Sequence, residues 1–520
     1  MCNFREFSFP PIQLTIFASM IANLQEYYKN HPFKLILFIG LIFRLIAAFF
    51  SEGFAFQDDH FLVIEIAQHW VDGVPNEWLP AFGAKVPSGH SLFYAGLHYY
   101  FFEFLKFFGI VNPEIKMLLV RLIHAVYSLS IVYLGFKITK LVSNQKSAIT
   151  VGWILSIFWI FPLLSVRNLV EMVSIPPIML AIYGLIQAKK FNNWLIVLIL
   201  GFIGGIAFSL RFQSILMLGG LGLVLLIQKE WLKAVQFGMG VILSICLFQG
   251  LVDYMVWKKP FAEFIEYTNY NLHHSAEYPN GPWYNYTLLI LGLFIVPLSL
   301  FLFWGNITKF KKYLILSVPV AIFFIFHSYF PNKQERFILT MLPMFIIVGI
   351  AGWNEFVENS QWWNTRTTLY RRSWNFIWTV NAILLLVLTP ASTKISKLRA
   401  MNYFRERGSV EYFALETTHM WGSVLMPRFY HGVWNNYYTI TQENSAKQLF
   451  ETLRAEKKPL PTHIIFAEPK ELKIRMERVR SQVKGLVYEK TVESSYLDRF
   501  MVWINPVNVN QTYYIYRIEY

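Results

Sequence analysis

The chain has 520 residues, of which 55% are hydrophobic, 18% aromatic and only 15% charged, against roughly 25% charged in a soluble globular protein. That balance excludes a soluble enzyme and identifies an integral membrane protein. The net charge of +14 is what Lys- and Arg-bearing cytoplasmic loops produce, and no glycine-rich phosphate loop or zinc-type cysteine spacing points to nucleotide or nucleic acid.

Residues 1–33 are apolar in part, but Pro10-Pro11 interrupts them and no small-residue cleavage site stands out. A cytoplasmic or interfacial segment is expected there. A helical crossing needs about 20 mostly apolar residues. Eleven candidates follow, near 34–52, 116–137, 147–165, 172–188, 193–210, 212–228, 234–252, 285–304, 313–329, 337–352 and 375–391. The stretch 91–109 is long enough to cross, yet it carries His98, Glu103 and Lys106 and suits the interface. If it does not cross, Lys137, Lys140 and Lys146, Lys189 and Lys190, Lys309, Lys311 and Lys312, and Arg366, Arg371 and Arg372 all fall inside. The expectation is therefore an all-α polytopic membrane domain over 34–391, with a large first outer loop at 53–115. Cys2 and Cys246 are the only cysteines, and no disulfide is expected.

The outer face then gathers Asp58, Asp59, His60, Arg167, Glu171, Arg211, Gln213, Asp253, the loop 254–284 and "NKQERF" (332–337). Inside loops hold plain basic stops, whereas these outer ones mix acids, bases, amides and aromatics. From 392 to 520 the composition becomes charged and strand-like, with "THIIFAEP", "GLVYEKTVE", "RFMVWINPV" and "TYYIYRIEY" read as strands and "AKQLFETLRAEKK" as a helix. A small extracytoplasmic α/β domain is expected.

"DDHFLVIEIAQHWVDG" reads as an amphipathic helix ending at Gly73, with Leu62, Val63, Ile66 and Ala67 opposite Glu65, Gln68, His69 and Asp72. One aspartate can cap it. A second is unexplained by capping, which leaves catalysis as the other reading of Asp58.

At these residues the chain resembles the GT-C glycosyltransferases, in particular the mannosyltransferases of GPI-anchor and asparagine-linked-glycan assembly and their bacterial relatives. Their first-loop motif is close to "HPDE", and "FQDD" (56–59) keeps its acidic pair. Their late motif is close to "HKEERF"; "NKQERF" keeps Lys333, Glu335, Arg336 and Phe337, with Asn332 in place of His. "RNLVEMVSIP" (167–176), "DYMVWKKPFAEFIEYTNYNL" (253–272) and "YPNGPWYNY" (278–286) resemble intervening family segments. The departures from the eukaryotic pattern suggest a bacterial plasma membrane, with the site on its periplasmic face.

The resemblance implies a polyprenyl-phosphate sugar donor, typically of mannose, and a glycan or glycolipid acceptor, both met in the lipid bilayer. Asp58 is then the base that takes the acceptor proton, with inversion at the anomeric carbon, and Asp59 orients the acceptor or holds Asp58. Lys333 and Arg336 are placed on the donor phosphate, with Arg167 and Arg211 as further candidates. Glu171, Tyr267, Asn269, Trp283 and Tyr284 are candidate substrate contacts, although Trp and Tyr also serve as interface anchors. His60 is a hydrogen-bonding partner of the acids, and Glu335 either contacts substrate or pairs with a neighbouring Arg. No metal or other cofactor is demanded. Arg44, mid-span, has no partner legible in the sequence. Two alternatives stay open: a GT-C transferase that modifies lipid A or protein with another sugar, and a polytopic transporter or flippase.

Overall fold

Within a bilayer each backbone N–H and C=O must be satisfied inside its own segment, so the apolar runs become helices. The computed structural model describes residues 26–74, 79, 84–188, 193–275, 277, 280–418, 424–441, 444–506 and 508–520. Most of the expected N-terminal segment, together with Lys189 and Lys190, lies outside these residues. Five described helices are long and apolar enough to cross a membrane: Pro32–Phe50, Pro113–Val142, Val170–Ala188, Trp231–Trp257 and Glu335–Asn359. Four more, Trp194–Leu210, Ser214–Ile227, Leu298–Thr308 and Leu314–Tyr329, are apolar but shorter.

Two of the eleven expected crossings are broken. The run 147–165 divides into Gln145–Ile157 and Ile160–Ser165 around an extended Phe158. The run 285–304 divides into Asn285–Leu293 and Leu298–Thr308, with Pro297 between them, a residue that has no N–H to continue the ladder. Leu92–Phe107 has 16 residues, fewer than the roughly 20 of a crossing.

Arg44 explains the first break. Its buried guanidinium donates to Leu155 O (3.0 Å) and Ser156 O (2.8 Å), and also to Gly40 O and Ser128 Oγ. Those first two carbonyls belong to the last turn of Gln145–Ile157, where a helix leaves acceptors unpaired. A charge that is costly in hydrocarbon thus caps an interrupted helix.

Beyond the last membrane helix the chain forms a five-stranded sheet of β1 (Phe413–Glu416), β2 (Tyr438–Ile440), β3 (His463–Ala467), β4 (Leu486–Val492) and β5 (Tyr513–Ile518). Their order is β2-β1-β3-β5-β4. β1 runs parallel to β2 and β3, while β5 is antiparallel to β3 and β4. Alternation along the strands divides the side chains between two cores. Ala414, Ile464 and Phe466 pack under the helices Ala446–Ala455 and Leu472–Gln482. Phe413, Leu415, Ile465 and Ile515 instead share a core with Phe61, Val63 and Ala67 of the first loop. "RFMVWINPV", expected as a strand, is largely helical within Tyr496–Ile504. The Ser495 hydroxyl accepts from Asp498 N (2.9 Å), a cap that sets the helix start before β-propensity can act.

The first-loop helix also departs from expectation. It runs Gln57–Asp59, a π turn His60–Glu65, then Ile66–Asp72, and Gly73 ends it in the left-handed region. Glu65, Gln68 and His69 of its polar face are buried while Asp72 stays exposed, and the C-terminal domain meets three of these four residues. Glu65 accepts from Phe429 N (3.1 Å), Asp72 accepts from Trp434 Nε1 (2.8 Å), and His69 lies against the Trp434 ring.

Lys397, on the helix Ile395–Arg407, is fully buried, and among the described residues its Nζ has no hydrogen-bond partner. Burial pushes this amine down to about 8, below its unfolded value of about 10.4. The unfolded chain therefore binds more protons between these values, and stability should rise with pH across that window. Lys397→Met should raise the thermal midpoint at pH 7 and flatten the rise between pH 8 and 10, as read by thermal denaturation in detergent.

Candidate active site

Asp58 and Asp59 open the first-loop helix, but neither caps it: the cap position is Phe56 and no side chain serves it. Asp59 is turned inward. One oxygen accepts from Val170 N (3.2 Å), at the start of the helix Val170–Ala188, and the other lies 3.2 Å from Arg336 Nη1. Asp58 lies nearer the surface, with its side chain 40% exposed. Its Oδ2 accepts from Arg336 Nη2 and lies 3.8 Å from His90 Nε2. Among the described residues its Oδ1 has no hydrogen-bond partner.

Arg336 organises the cluster. It donates Nε to Gln334 (3.0 Å), with Glu171 Oε1 3.6 Å away, and its guanidinium lies over the Phe56 ring. Arg211 approaches the same Glu171 oxygen through Nη2 (3.3 Å). Three carboxylates and two guanidiniums thus share one site, and the aspartates respond in opposite directions. Burial, the Glu171 charge and the Asp58 charge push Asp59 above the ordinary carboxylate range, against the pull of Arg336. Burial also acts against ionised Asp58, but His90 and Arg336 outweigh it and hold its carboxyl well below the usual carboxylate range.

The cluster opens into a polar cleft of about 320 Å³, where Asp58, His90, Arg211, Asn271, Asn332 and Arg336 are among the lining groups. It adjoins an apolar groove of about 450 Å³ between the helices Ser214–Ile227, Ala262–His274 and Leu314–Tyr329. Gln213, Tyr267, Asn271 and Phe337 line both. A charged head joined to an apolar body fits this pair of spaces.

Other expected site residues lie elsewhere. Lys333 Nζ donates to His327 O and Ser328 O (both 2.7 Å) and to Phe330 O, so it closes the end of the helix Leu314–Tyr329 instead of lining the cleft. Arg167 is committed to Glu52 O, Thr393 Oγ1, Ser51 Oγ and Ala391 O. His60 is buried between the Phe54 and Tyr430 rings, and burial lowers its imidazole to about 3. Asn269, Trp283, Tyr284 and Glu335 are exposed and line neither space. Glu335 makes no ion pair among the described residues.

His90 was not singled out from the sequence. Its signal is "PSGHS": Gly89 has φ +72°, and a Cβ there would meet the Tyr267 backbone at 3.3 Å. Glu263 fixes this turn by accepting from Gly89 N (2.7 Å), His90 N (3.2 Å) and Ser88 Oγ (3.1 Å).

With this geometry described, the comparisons with known proteins are informative. ArnT from Cupriavidus metallidurans matches with a TM-score of 0.58 bound to undecaprenyl phosphate and 0.59 in the apo state, at 12% identity over 93% of this chain and 97% of that one. The fold is that of the GT-C membrane glycosyltransferases. The chain belongs to the Alg9-like mannosyltransferase family, whose sequence profile matches residues 35–425. A Dol-P-Man:Man(7)GlcNAc(2)-PP-Dol alpha-1,6-mannosyltransferase of Arabidopsis thaliana is 31% identical over 157 residues. That match covers 29% of this chain and 31% of the relative.

Lys333→Met removes a cation from three helix-end carbonyls and should destabilise the fold by about 1–2 kcal/mol. A drop in thermal midpoint with ligand affinity at the cleft unchanged is the expected result. Unchanged stability with weakened ligand binding would return Lys333 to the site.

Proposed function

We propose that this chain transfers a hexose, mannose, from a polyprenyl-phosphate donor to a hydroxyl of a glycan or glycolipid acceptor, with inversion. The observation that carries the reading is the junction of the acidic–basic cleft with the apolar groove, which share four lining residues. A polyprenyl chain suits the groove and its phosphate the Arg211 end of the cleft. Arg211 uses one nitrogen on Glu171, and among the described residues its other guanidinium nitrogens have no partner. Arg336, by contrast, is engaged at all three nitrogens.

Asp58 is the proposed base. Geometry ranks before acidity in such an assignment, and Asp58 Oδ1 is unengaged beside the cleft, whereas both oxygens of Asp59 are occupied. His90 and Arg336 keep Asp58 ionised at rest. An arriving phosphate adds negative charge near Arg336 and Arg211, which weakens their pull on Asp58 and raises its basicity. The leaving phosphate is itself a stable anion. Fixed positive charge where that charge develops therefore supports departure without a general acid.

We infer that the site faces the extracytoplasmic side and that residues 280 and 311 lie on opposite sides of a crossing. In a chain carrying Cys2→Ser and Cys246→Ser, Asn280→Cys in intact cells should react with a membrane-impermeant thiol reagent and Lys311→Cys should not. The reverse labelling overturns the topology. For the chemistry, purified protein is given a panel of polyprenyl-phosphate hexoses and scored for transfer. Asp58→Asn should lower kcat by about 10²–10⁴-fold with the thermal midpoint nearly unchanged. Arg211→Ala should raise the donor KM roughly tenfold or more. Full activity of Asp58→Asn would refute the base assignment, and preference for another sugar would refute mannose.

A further inference from the structure

A second polar cavity lies apart from the cleft and shares no lining residue with it. It occupies about 250 Å³ where the ends of Pro32–Phe50 and Pro113–Val142 meet the helix Ile395–Arg407. Glu52 and Glu114 face it with Arg121 and Arg399, and Phe49 and Ile115 form an apolar rim. Both rim residues are about half exposed and lie at the ends of two helices long and apolar enough to cross a membrane.

The central observation is Arg121. It is 7% exposed and donates only Nε, to Ala48 O (2.7 Å). Among the described residues its two terminal nitrogens have no hydrogen-bond partner, and neither has the nearby Tyr430 hydroxyl. A guanidinium this buried is expected to be paired. Four donors of Arg121 and the hydroxyl of Tyr430 are therefore available to an anion in the cavity, and Arg399 stands at its mouth. The acids are placed differently. Glu114 is held by Asn402 (2.6 Å) and Arg405 (3.5 Å), and Glu52 lies 4.0 Å from Arg399. Both carboxylates are about half exposed, and each carboxylate oxygen has lone pairs to accept a further donor.

We propose that this cavity binds the headgroup of an aminophospholipid. The phosphate sits on Arg121 with Arg399 beside it, the primary ammonium meets Glu114 and Glu52, and the acyl chains run over Phe49 and Ile115. The two charges of each sign match a zwitterion. An anionic headgroup would place its whole charge near Glu52 and Glu114 without an ammonium to offset them. A choline headgroup cannot donate hydrogen bonds to either acid.

The test is native mass spectrometry of the full-length, delipidated protein titrated separately with phosphatidylethanolamine, phosphatidylglycerol, phosphatidylcholine and inorganic phosphate. One saturable phosphatidylethanolamine is expected, bound at least fivefold more tightly than phosphatidylglycerol or phosphatidylcholine, with phosphate alone ineffective as a competitor. Arg121→Gln should weaken it roughly tenfold or more. Arg399→Gln, at an exposed position that leaves folding intact, should weaken it severalfold. Glu114→Gln should remove the preference over phosphatidylglycerol. Equal binding by wild type and both arginine variants overturns the site. Equal affinity for the three lipids overturns the aminophospholipid assignment, and tight competition by inorganic phosphate replaces the lipid with a free anion.

Discussion

Arg336 is the constraint on which the candidate site depends. Asp58, Asp59 and Glu171 are three acids brought together from two segments, and like charges at such separations cannot all ionise unaided. One guanidinium from the first turn of the helix Glu335–Asn359 reaches all three. Its planar fork makes this possible, since a lysine ammonium would present a point charge with no fixed directions. Remove that fork and the first loop, the helix Val170–Ala188 and the last motif lose their common anchor.

The aspartates also need a rigid support, and it comes from a clasp between residues 51–55 and 391–394. Gly53 pairs with Thr393 as a parallel bridge, and a Cβ on Gly53 would lie 1.7 Å from Thr393 O. Thr393 N donates to Glu52 O, Thr393 Oγ1 donates to Phe54 O, and Lys394 Nζ donates to Phe54 O and Ala55 O. Arg167 ties both strands together. On the far side, the sheet packs Phe413, Leu415 and Ile465 against Phe61 and Val63. The C-terminal domain is therefore part of what positions Asp58. Arg167 contributes to the site through this clasp, at a distance from any ligand in the cleft.

The composition and the apolar runs made the membrane class legible, and the clustered motifs made Asp58, Asp59, Glu171, Arg211 and Arg336 legible as neighbours. What stayed hidden has a physical pattern. Lys333 and Arg167 carry the right charge for a phosphate, but only the fold shows that backbone carbonyls already occupy them. His60 stands beside the acids in sequence, yet the π turn rotates it into the domain interface. His90 is 32 residues from Asp58 in the chain and is brought back by Glu263, a long-range contact that no local pattern encodes. The two broken helices were read as continuous because hydropathy does not report a lost hydrogen-bond ladder, and Arg44 became intelligible only once the break it caps was visible.

Two arginines in one acidic cleft divide the work by how many of their donors are engaged. Arg336 has a protein acceptor at each of its three nitrogens, which suits it to hold the aspartates in place. Arg211 touches Glu171 through one nitrogen and stacks over Phe337, so it retains donors for an incoming anion. A phosphate seated there would bring its charge next to Glu171 as well, and that repulsion is relieved through Arg336, which Glu171 shares with both aspartates. On the proposed mechanism, donor arrival and base strength are linked through this one shared carboxylate. A carboxyl held well below its ordinary range can, on that mechanism, still serve as base, because an anion arriving beside the cluster alters its acidity as well.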